Sequence, residues 1–240
     1  MKALTAQART EVVLTLRRGE SLLLILGIPV LLLAFFSTVH VLPDGDFQDP
    51  IDFLAPGVIA LAVMSTGMVQ RAIGTAFERQ YGVLKRLGTT PLGRPKLLAA
   101  KTTSIVFVEV LQIILLVALA LVLAWDPSVH AGVLLALALG TIAFSGLGLL
   151  MAGTLKGEVT LAAANGLYLV LLLVGGMVVP LSELPSGLRT VAEALPSGAL
   201  VQALTATLTA GEAVPTHAWV VLVVWAVGAP LLAVRFFPWE

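Results

Sequence analysis

The sequence predicts an all-α membrane protein that crosses the bilayer six times, and its composition and its apolar runs carry this prediction. Hydrophobic residues make up 58% of the 240 residues and charged residues only 12%, whereas a soluble domain carries roughly a quarter charged residues. Six apolar runs are each long enough to cross a hydrocarbon core of ~30 Å as a helix. The polar segments between these runs are short, so we expect a single transmembrane domain over residues 1–240 and no soluble catalytic domain.

The first apolar run follows a polar-rich N-terminal segment and has no small-residue cleavage site near its end. It is therefore predicted to be a retained span rather than a signal peptide. Pro29 lies inside this run and predicts a kink in its helix. The six spans are predicted at residues 21–42, 53–75, 102–125, 131–155, 160–179 and 218–236.

Residues 1–19 carry an amphipathic pattern ahead of the first span. Leu4, Ala8, Val12 and Leu16 are spaced four apart, and most of the basic residues lie off that stripe. This pattern predicts a helix that lies in the membrane interface. An ordinary basic N-terminal tail is the alternative interpretation.

Positive charge is segregated to one side of the predicted spans. With the N-terminus inside, thirteen of the fourteen Lys and Arg residues fall on the inner side, and only Arg189 falls outside. Loops that carry an excess of Lys and Arg stay in the cytoplasm. We therefore expect both termini to be cytoplasmic and the segments 43–52 and 180–217 to be external.

Three kinds of chemistry find no support in the sequence. The chain has no Cys, which excludes disulfides, thiol catalysis and Cys-based metal sites. Gly88 and Gly93 have the spacing of a phosphate loop, but Arg94 and Pro95 follow them in place of Lys and Ser or Thr. The three His residues fall far apart on the predicted outer side. We expect no catalytic residue, no bound cofactor and no metal site in this chain.

Few polar residues interrupt the predicted spans. Arg71 and Glu109 lie near the cytoplasmic ends of adjacent antiparallel spans. A charge within the hydrocarbon is costly unless it is paired or hydrated, so we expect these two residues to approach each other or water. Asn165 in span five is expected to form an interhelical hydrogen bond rather than to bind a ligand.

The stretch 77–101 is the only long charged segment between two strongly apolar ones, and we expect it to form a cytoplasmic loop. Phe77, Tyr81, Leu84 and Leu87 recur at spacings of three and four, which predicts a short amphipathic helix over residues 77–87. A solvated, topology-setting loop and a docking helix for a soluble partner both fit this pattern. Its basic residues are Arg79, Lys85, Arg86, Arg94, Lys96 and Lys101.

Two groups of motifs resemble those of ABC transporter permeases of the type-2 export class, including drug and antibiotic efflux permeases. The segments 78–83 (ERQYGV) and 87–92 (LGTTPL) are similar to the Glu-x-Glu-x-Gly-Thr segment and the Thr-Pro-Leu ending of their cytoplasmic loop. Gln80 stands for the second Glu of that pattern and Val83 for its Thr. After span five, the segment 175–180 (GGMVVP) and two later Leu-Pro pairs resemble the family's outer segment.

The resemblance implies that residues 77–87 form a coupling helix under which an ABC ATPase subunit docks. ATP and Mg²⁺ would be used by that partner, and a second permease chain, identical or paralogous, would complete the pathway. The implied coupling residues are Phe77, Glu78, Arg79, Tyr81, Gly82, Leu84, Lys85 and Arg86.

The resemblance also implies short outer helices between spans five and six that re-enter the membrane and cap the pathway. Gly176, Pro180, Pro185 and Pro196 would form an outer gate. The implied protein is a non-enzymatic permease subunit of a prokaryotic plasma membrane exporter for a drug, lipid or glycan, without a nucleic-acid partner. The alternative is an ion- or proton-coupled carrier, or a structural membrane subunit, that needs no ATPase.

The charge distribution gives a testable topology. Because the chain has no Cys, single cysteines can be placed and labelled without background. In sealed cells, Asp46→Cys and Ala210→Cys should react with an impermeant thiol reagent, and Gly93→Cys should react only after the cells are opened. Labelling of Gly93→Cys in sealed cells would reverse the predicted orientation.

Overall fold

A computed structural model describes residues 12–13, 19–38, 50–88, 93–210 and 213–237, although the side chains of residues 19–25, 87–88, 93–101 and 209–210 are not described. Within these residues the chain is helical and contains no strand, which confirms the all-α class. The longer helices are α1 (Gly19–Thr38), α2 (Pro50–Gln80), α3 (Val83–Gly88), α4 (Gly93–Val122), α5 (Gly132–Thr154), α6 (Gly157–Val174), α7 (Ser186–Ala194), α8 (Pro196–Thr205) and α9 (Thr216–Phe236).

Five of the described helices are long and apolar enough to cross a membrane: Pro50–Gln80, Thr102–Val122, Gly132–Thr154, Gly157–Val174 and Thr216–Phe236. They correspond to the second to sixth predicted spans. The first predicted span falls on α1, but the side chains of residues 19–25 and all of residues 39–49 lie outside the described part. The count of six spans therefore stays a prediction, as does the N-terminal interfacial helix, because only residues 12–13 of that segment are described.

Helix α2 occupies the centre of the bundle. Its most apolar window is 89% buried, compared with 22–44% for the other four spanning helices. Helices α1, α4, α5, α6 and α8 all pack against it. Helix α9 lies one layer further out, against α5 and α8. Among the described side chains, exposed apolar ones such as Val122 and Leu134 lie mainly on the outer helices.

Several predicted boundaries were wrong by a few residues. Helix α2 continues to Gln80, beyond the predicted end at residue 75, and α4 begins at Gly93 inside the predicted loop 77–101. Helix α6 ends at Val174 rather than at residue 179, because Gly176 turns the chain with φ of 77°. Hydropathy marks the apolar core of a helix but not the polar turns that extend it.

Glycine allows the closest helix contacts. A Cβ on Gly148 of α5 would lie 2.6 Å from the carbonyl oxygen of Met68 in α2. A Cβ on Gly146 would lie 2.6 Å from the ring of Pro230 in α9. Because small residues let helix backbones approach, these two glycines fix α5 between the central helix and α9.

Helices α7 and α8 form a hairpin between α6 and α9. The indole Nε1 of Trp225 donates a hydrogen bond of 3.0 Å to the carbonyl oxygen of Ala194, at the end of α7. Trp225 lies roughly 13 Å along α9 from Thr216 at 1.5 Å per residue. The tip of the hairpin therefore lies beside the middle of α9 and not beside its start. At the other end of α8, the Leu208 carbonyl accepts a hydrogen bond of 2.8 Å from the Ser128 N–H in the loop before α5.

The glycine contacts give a matched stability test. Gly148→Ala should lower the melting temperature of the purified protein in detergent by roughly 2–10 °C, because overpacking costs about 1–3 kcal/mol in a protein of this size. Gly228→Ala in α9 is the control, since nothing lies within 4 Å of a Cβ there, and it should leave the melting temperature unchanged or slightly raised. Equal melting temperatures for the two variants would contradict the close contact between α5 and α2.

Candidate coupling site and intramembrane polar cluster

Helix α2 ends in a tight turn at Tyr81 and Gly82. The Tyr81 N–H bonds to the Phe77 carbonyl at 2.9 Å and the Gly82 N–H bonds to the Arg79 carbonyl at 3.0 Å. Gly82 has φ of 69°, a left-handed conformation that Gly adopts without strain. The predicted single helix over residues 77–87 is therefore wrong: residues 77–80 belong to α2, and α3 begins a new direction at Val83.

The turn presents a small exposed face. Tyr81 is 68% exposed, and its ring stacks on the half-buried Phe77 ring with centroids 6.0 Å apart. Val83 is also exposed, as are Lys85 and Arg86. We call Tyr81, Val83, Lys85 and Arg86 the docking face.

Leu84 does not belong to the docking face, because only 3% of it is exposed and it faces the protein interior. The shared apolar stripe that the sequence predicted is thus divided. Tyr81 points outward, whereas Leu84 anchors α3 to the bundle. The side chain of Leu87 lies outside the described part of the chain.

Arg79 and Gln80 connect the end of α2 to the turn between α5 and α6. The two terminal nitrogens of Arg79 donate hydrogen bonds to the carbonyl oxygens of Gly153 and Leu155. Arg side chains commonly satisfy the last carbonyls of a helix in this way, and their charge favours that end of the helix dipole. The Gln80 Oε1 accepts a hydrogen bond of 3.0 Å from the Gly157 N–H at the start of α6.

These contacts assign Arg79 a different position from the one predicted. It was expected beside the docking residues, but its guanidinium bonds to the chain itself. Gln80 was not among the predicted site residues. The sequence offered one signal for this contact: Lys156, Gly157 and Glu158 lie in the short segment between the predicted spans 131–155 and 160–179, and Lys156 is one of the thirteen basic residues on the predicted inner side. A cleft of about 500 Å³ adjoins the contact and is lined by Arg79, Gln80, Lys156, Gly157, Glu158 and Val159.

The structure does not bring Arg71 and Glu109 together. Arg71 donates a hydrogen bond of 2.9 Å to the Thr102 hydroxyl of α4, and Glu78 acts on it electrostatically from two turns further along α2. Glu109 accepts a hydrogen bond from the Thr141 hydroxyl of α5. Both residues are buried, with 5% and 4% of their surface exposed. Each has thus found a hydroxyl partner on a neighbouring helix.

Glu109 belongs to a buried polar cluster between α2, α4 and α5. One turn along α4, the Gln112 Oε1 accepts a hydrogen bond of 2.9 Å from the Thr66 hydroxyl. Thr66 lies in a π-helical turn of α2, Ser65–Gln70, and such turns often occur at functional sites. The second carboxylate oxygen of Glu109 has no hydrogen-bond partner among the described residues. Sequence reasoning found Glu109 but missed Thr66, Gln112 and Thr141, because a lone hydroxyl or amide in an apolar run does not reveal its partner.

Asn165 and the predicted gate residues have local roles in the structure. The Asn165 amide is exposed and donates to the Leu161 carbonyl of its own helix at 2.9 Å, so it forms no interhelical bond within the described chain. Gly176 makes the turn after α6, where a Cβ would lie 2.8 Å from Leu181. Three prolines begin the short helices that follow: Pro180 before Leu181–Glu183, Pro185 before α7, and Pro196 as the first residue of α8.

The fold and the site define a polytopic α-helical membrane protein whose central helix ends in an exposed aromatic turn. The described residues contain no group of three or more His, Asp or Glu residues that could hold a metal ion. Residues 3–209 match the model of the ABC-2 type transporter family. The match covers most of the chain, so the protein belongs to this family and is a membrane permease component of an ABC exporter. No curated protein matches the sequence.

Separate partners for Arg71 and Glu109 predict separate effects on stability. Thr141→Val should lower thermal stability by about 1–3 kcal/mol, because it removes the hydrogen-bond donor of a buried carboxylate. This loss should shrink in a Glu109→Gln background. Arg71→Gln should cost the same with or without Glu109→Gln, within about 0.5 kcal/mol. The measurement is a double-mutant cycle on thermal unfolding in detergent, and strong coupling between Arg71 and Glu109 would refute these assignments.

Proposed function

We propose that this protein is the permease subunit of an ATP-driven exporter that moves an apolar or amphipathic substrate, such as a drug, lipid or glycan, out of the cytoplasm. Membership of the ABC-2 type transporter family supports the proposal, since members of this family normally work with an ABC ATPase. The chain itself has no phosphate loop, because Arg94 and Pro95 replace its Lys and hydroxyl residue. ATP and Mg²⁺ therefore act in the partner subunit.

The docking face is the observation that carries the proposal. Tyr81 projects from the end of the most buried helix, on the side to which the charge distribution assigns the cytoplasm. Aromatic residues such as Tyr are common anchors at protein–protein interfaces. Lys85 and Arg86 lie next to it and would orient an acidic rim on the ATPase. Leu84 and the Phe77 ring hold this face against the bundle.

Two further parts of the proposal concern assembly and location. A second permease chain, identical or paralogous, completes the pathway, and each chain binds one ATPase. The membrane is the prokaryotic plasma membrane, with both termini in the cytoplasm. The thirteen-to-one distribution of Lys and Arg supports this orientation.

The hairpin of α7 and α8 forms the outer cap of the pathway in this proposal. The bond from Trp225 to Ala194 supports its re-entry, because it places the tip of the hairpin below the start of α9. Helix α8 is buried against α2, α5 and α9. Gly176, Pro180, Pro185 and Pro196 set the turns at which this cap could change its angle.

Glu109 favours a second candidate function, that of an ion- or proton-coupled carrier. It is a buried carboxylate in a spanning helix with one oxygen left without a hydrogen-bond partner among the described residues, and such groups mark ion pathways in many transporters. The two functions differ in their energy source. Transport by the reconstituted protein that needs an ion gradient and no ATPase would select the carrier.

Substitutions in the docking face test the exporter. Tyr81→Ala should lower the amount of ATPase that co-purifies with the permease by at least about tenfold, because aromatic anchors often contribute 2 kcal/mol or more. Tyr81→Phe retains the ring and should bind within about twofold of the wild type. Normal ATPase binding and export by Tyr81→Ala would show that this face is not the docking site.

The turn itself gives an independent test. Gly82→Pro should uncouple the permease, because Pro requires φ near −65° and Gly82 has φ of 69°. Gly82→Asn is the control, since Asn tolerates the left-handed conformation and nothing lies within 4 Å of a Cβ at this position. Export and ATP hydrolysis should be lost only in Gly82→Pro. Equal loss in both variants would place the defect in the side chain rather than in the turn.

A further inference from the structure

We infer that Arg79 and Gln80 are positioning residues that transmit movement of the docking face to the turn between α5 and α6. This inference rests on the proposed function, because it concerns how ATPase movement reaches the membrane helices. We call Arg79 and Gln80, with the backbone groups of Gly153, Leu155 and Gly157 that they bind, the clamp. The clamp includes no residue of the docking face.

Three hydrogen bonds form the clamp, and together they join α2 to both helices of the α5–α6 pair. Arg79 contacts two carbonyls at the end of α5, and Gln80 contacts the first N–H of α6. Hydrogen bonds from a charged donor are stronger than neutral ones. The partners are 74 to 77 residues apart in sequence, so the clamp is tertiary rather than local.

The residues of the clamp are in close contact with one another. A Cβ on Gly157 would lie 2.2 Å from the Gln80 Oε1 and 3.1 Å from the Phe77 ring. A Cβ on Gly153 would lie 2.8 Å from the Phe237 ring. The end of α2 therefore cannot shift against the α5–α6 turn without breaking these bonds.

The position of the clamp makes it a mechanical link. Gln80 directly precedes Tyr81, so a displacement of the docking face acts on the clamp through one peptide bond. Lys156, Glu158 and Val159 of the turn are exposed, and together with Arg79 and Gln80 they line the open cleft of about 500 Å³. The cleft leaves open space beside the clamp and the exposed part of the turn. Movement of α2 pulls α5 and α6 with it through three hydrogen bonds.

The test uses the absence of Cys from the chain. Glu158→Cys places one thiol on the exposed turn, and an environment-sensitive fluorophore there reports movement of the turn in the permease–ATPase complex. The signal is recorded before and after trapping with ATP, Mg²⁺ and vanadate, so no transported substrate is needed. Gln80→Leu removes the acceptor of the Gly157 N–H. Gln80→Glu keeps an acceptor, and its charge suits a helix N-terminus.

We expect Gln80→Leu to bind the ATPase as the wild type does. In this variant the equilibrium between the positions of the turn before and after trapping should change about fivefold in favour of the position before trapping, because one ordinary hydrogen bond contributes a factor of this size. Gln80→Glu should restore the response. Arg79→Met should reduce it further and Arg79→Lys should recover part of it. Melting temperatures of all four variants separate loss of transmission from loss of folding, and Gln80→Leu changes one hydrogen bond only.

The outcomes distinguish failure of the clamp from failure of the proposed exporter function. A full fluorescence response in Gln80→Leu and Arg79→Met, with the ATPase bound, overturns the clamp and leaves the exporter standing. Failure of the wild-type permease to bind any ABC ATPase overturns the proposed function and this inference with it. Loss of the response in Gln80→Glu as well as in Gln80→Leu also overturns the clamp, because the acceptor is then not the cause.

Discussion

The structure depends on the burial of one long helix. Helix α2 passes through the centre of the bundle, and in the apolar interior its polar side chains have no water to bind. Some of them form hydrogen bonds with neighbouring helices, and these bonds help to determine the packing. Thr66 bonds to Gln112 and Arg71 bonds to Thr102, so α4 is held at two levels. Arg79 and Gln80 hold α5 and α6 at the end of α2.

The same constraint explains where the glycines lie. Apolar side chains supply no hydrophobic drive between helices inside a membrane, so close packing must supply the attraction. Gly148 brings α5 onto the backbone of α2, and Gly57 lies where a Cβ would be 3.1 Å from the Met177 carbonyl at the outer end. Backbone contact of this kind is intolerant of added volume, which leaves α5 with little freedom relative to the central helix.

The sequence predicted the all-α class and the apolar cores of the five helices that are long and apolar enough to cross a membrane, because hydropathy is a local property. It did not predict which polar residues meet. Arg71 and Glu109 were expected to approach each other or water, but each forms a hydrogen bond with a hydroxyl that carries no signal in sequence. The predicted helix over residues 77–87 failed for a related reason. The side chains of Arg79 and Gln80 form hydrogen bonds with the α5–α6 turn, and α2 extends to Gln80 instead of ending before residue 77.

Helix continuity has a consequence for coupling. The 31 residues of α2 span roughly 46 Å at 1.5 Å per residue, and roughly 35 Å of this length separates the Gly57 contact with Met177 from the clamp. One continuous helix therefore joins the contact at Gly57 to the clamp. Its single irregular stretch is the π-helical turn Ser65–Gln70, which lies beside Gln112 and next to Arg71. The buried polar cluster therefore lies beside the stretch of α2 where the hydrogen-bond pattern changes from α-helical to π-helical. This stretch lies along α2 between the outer segment and the docking face.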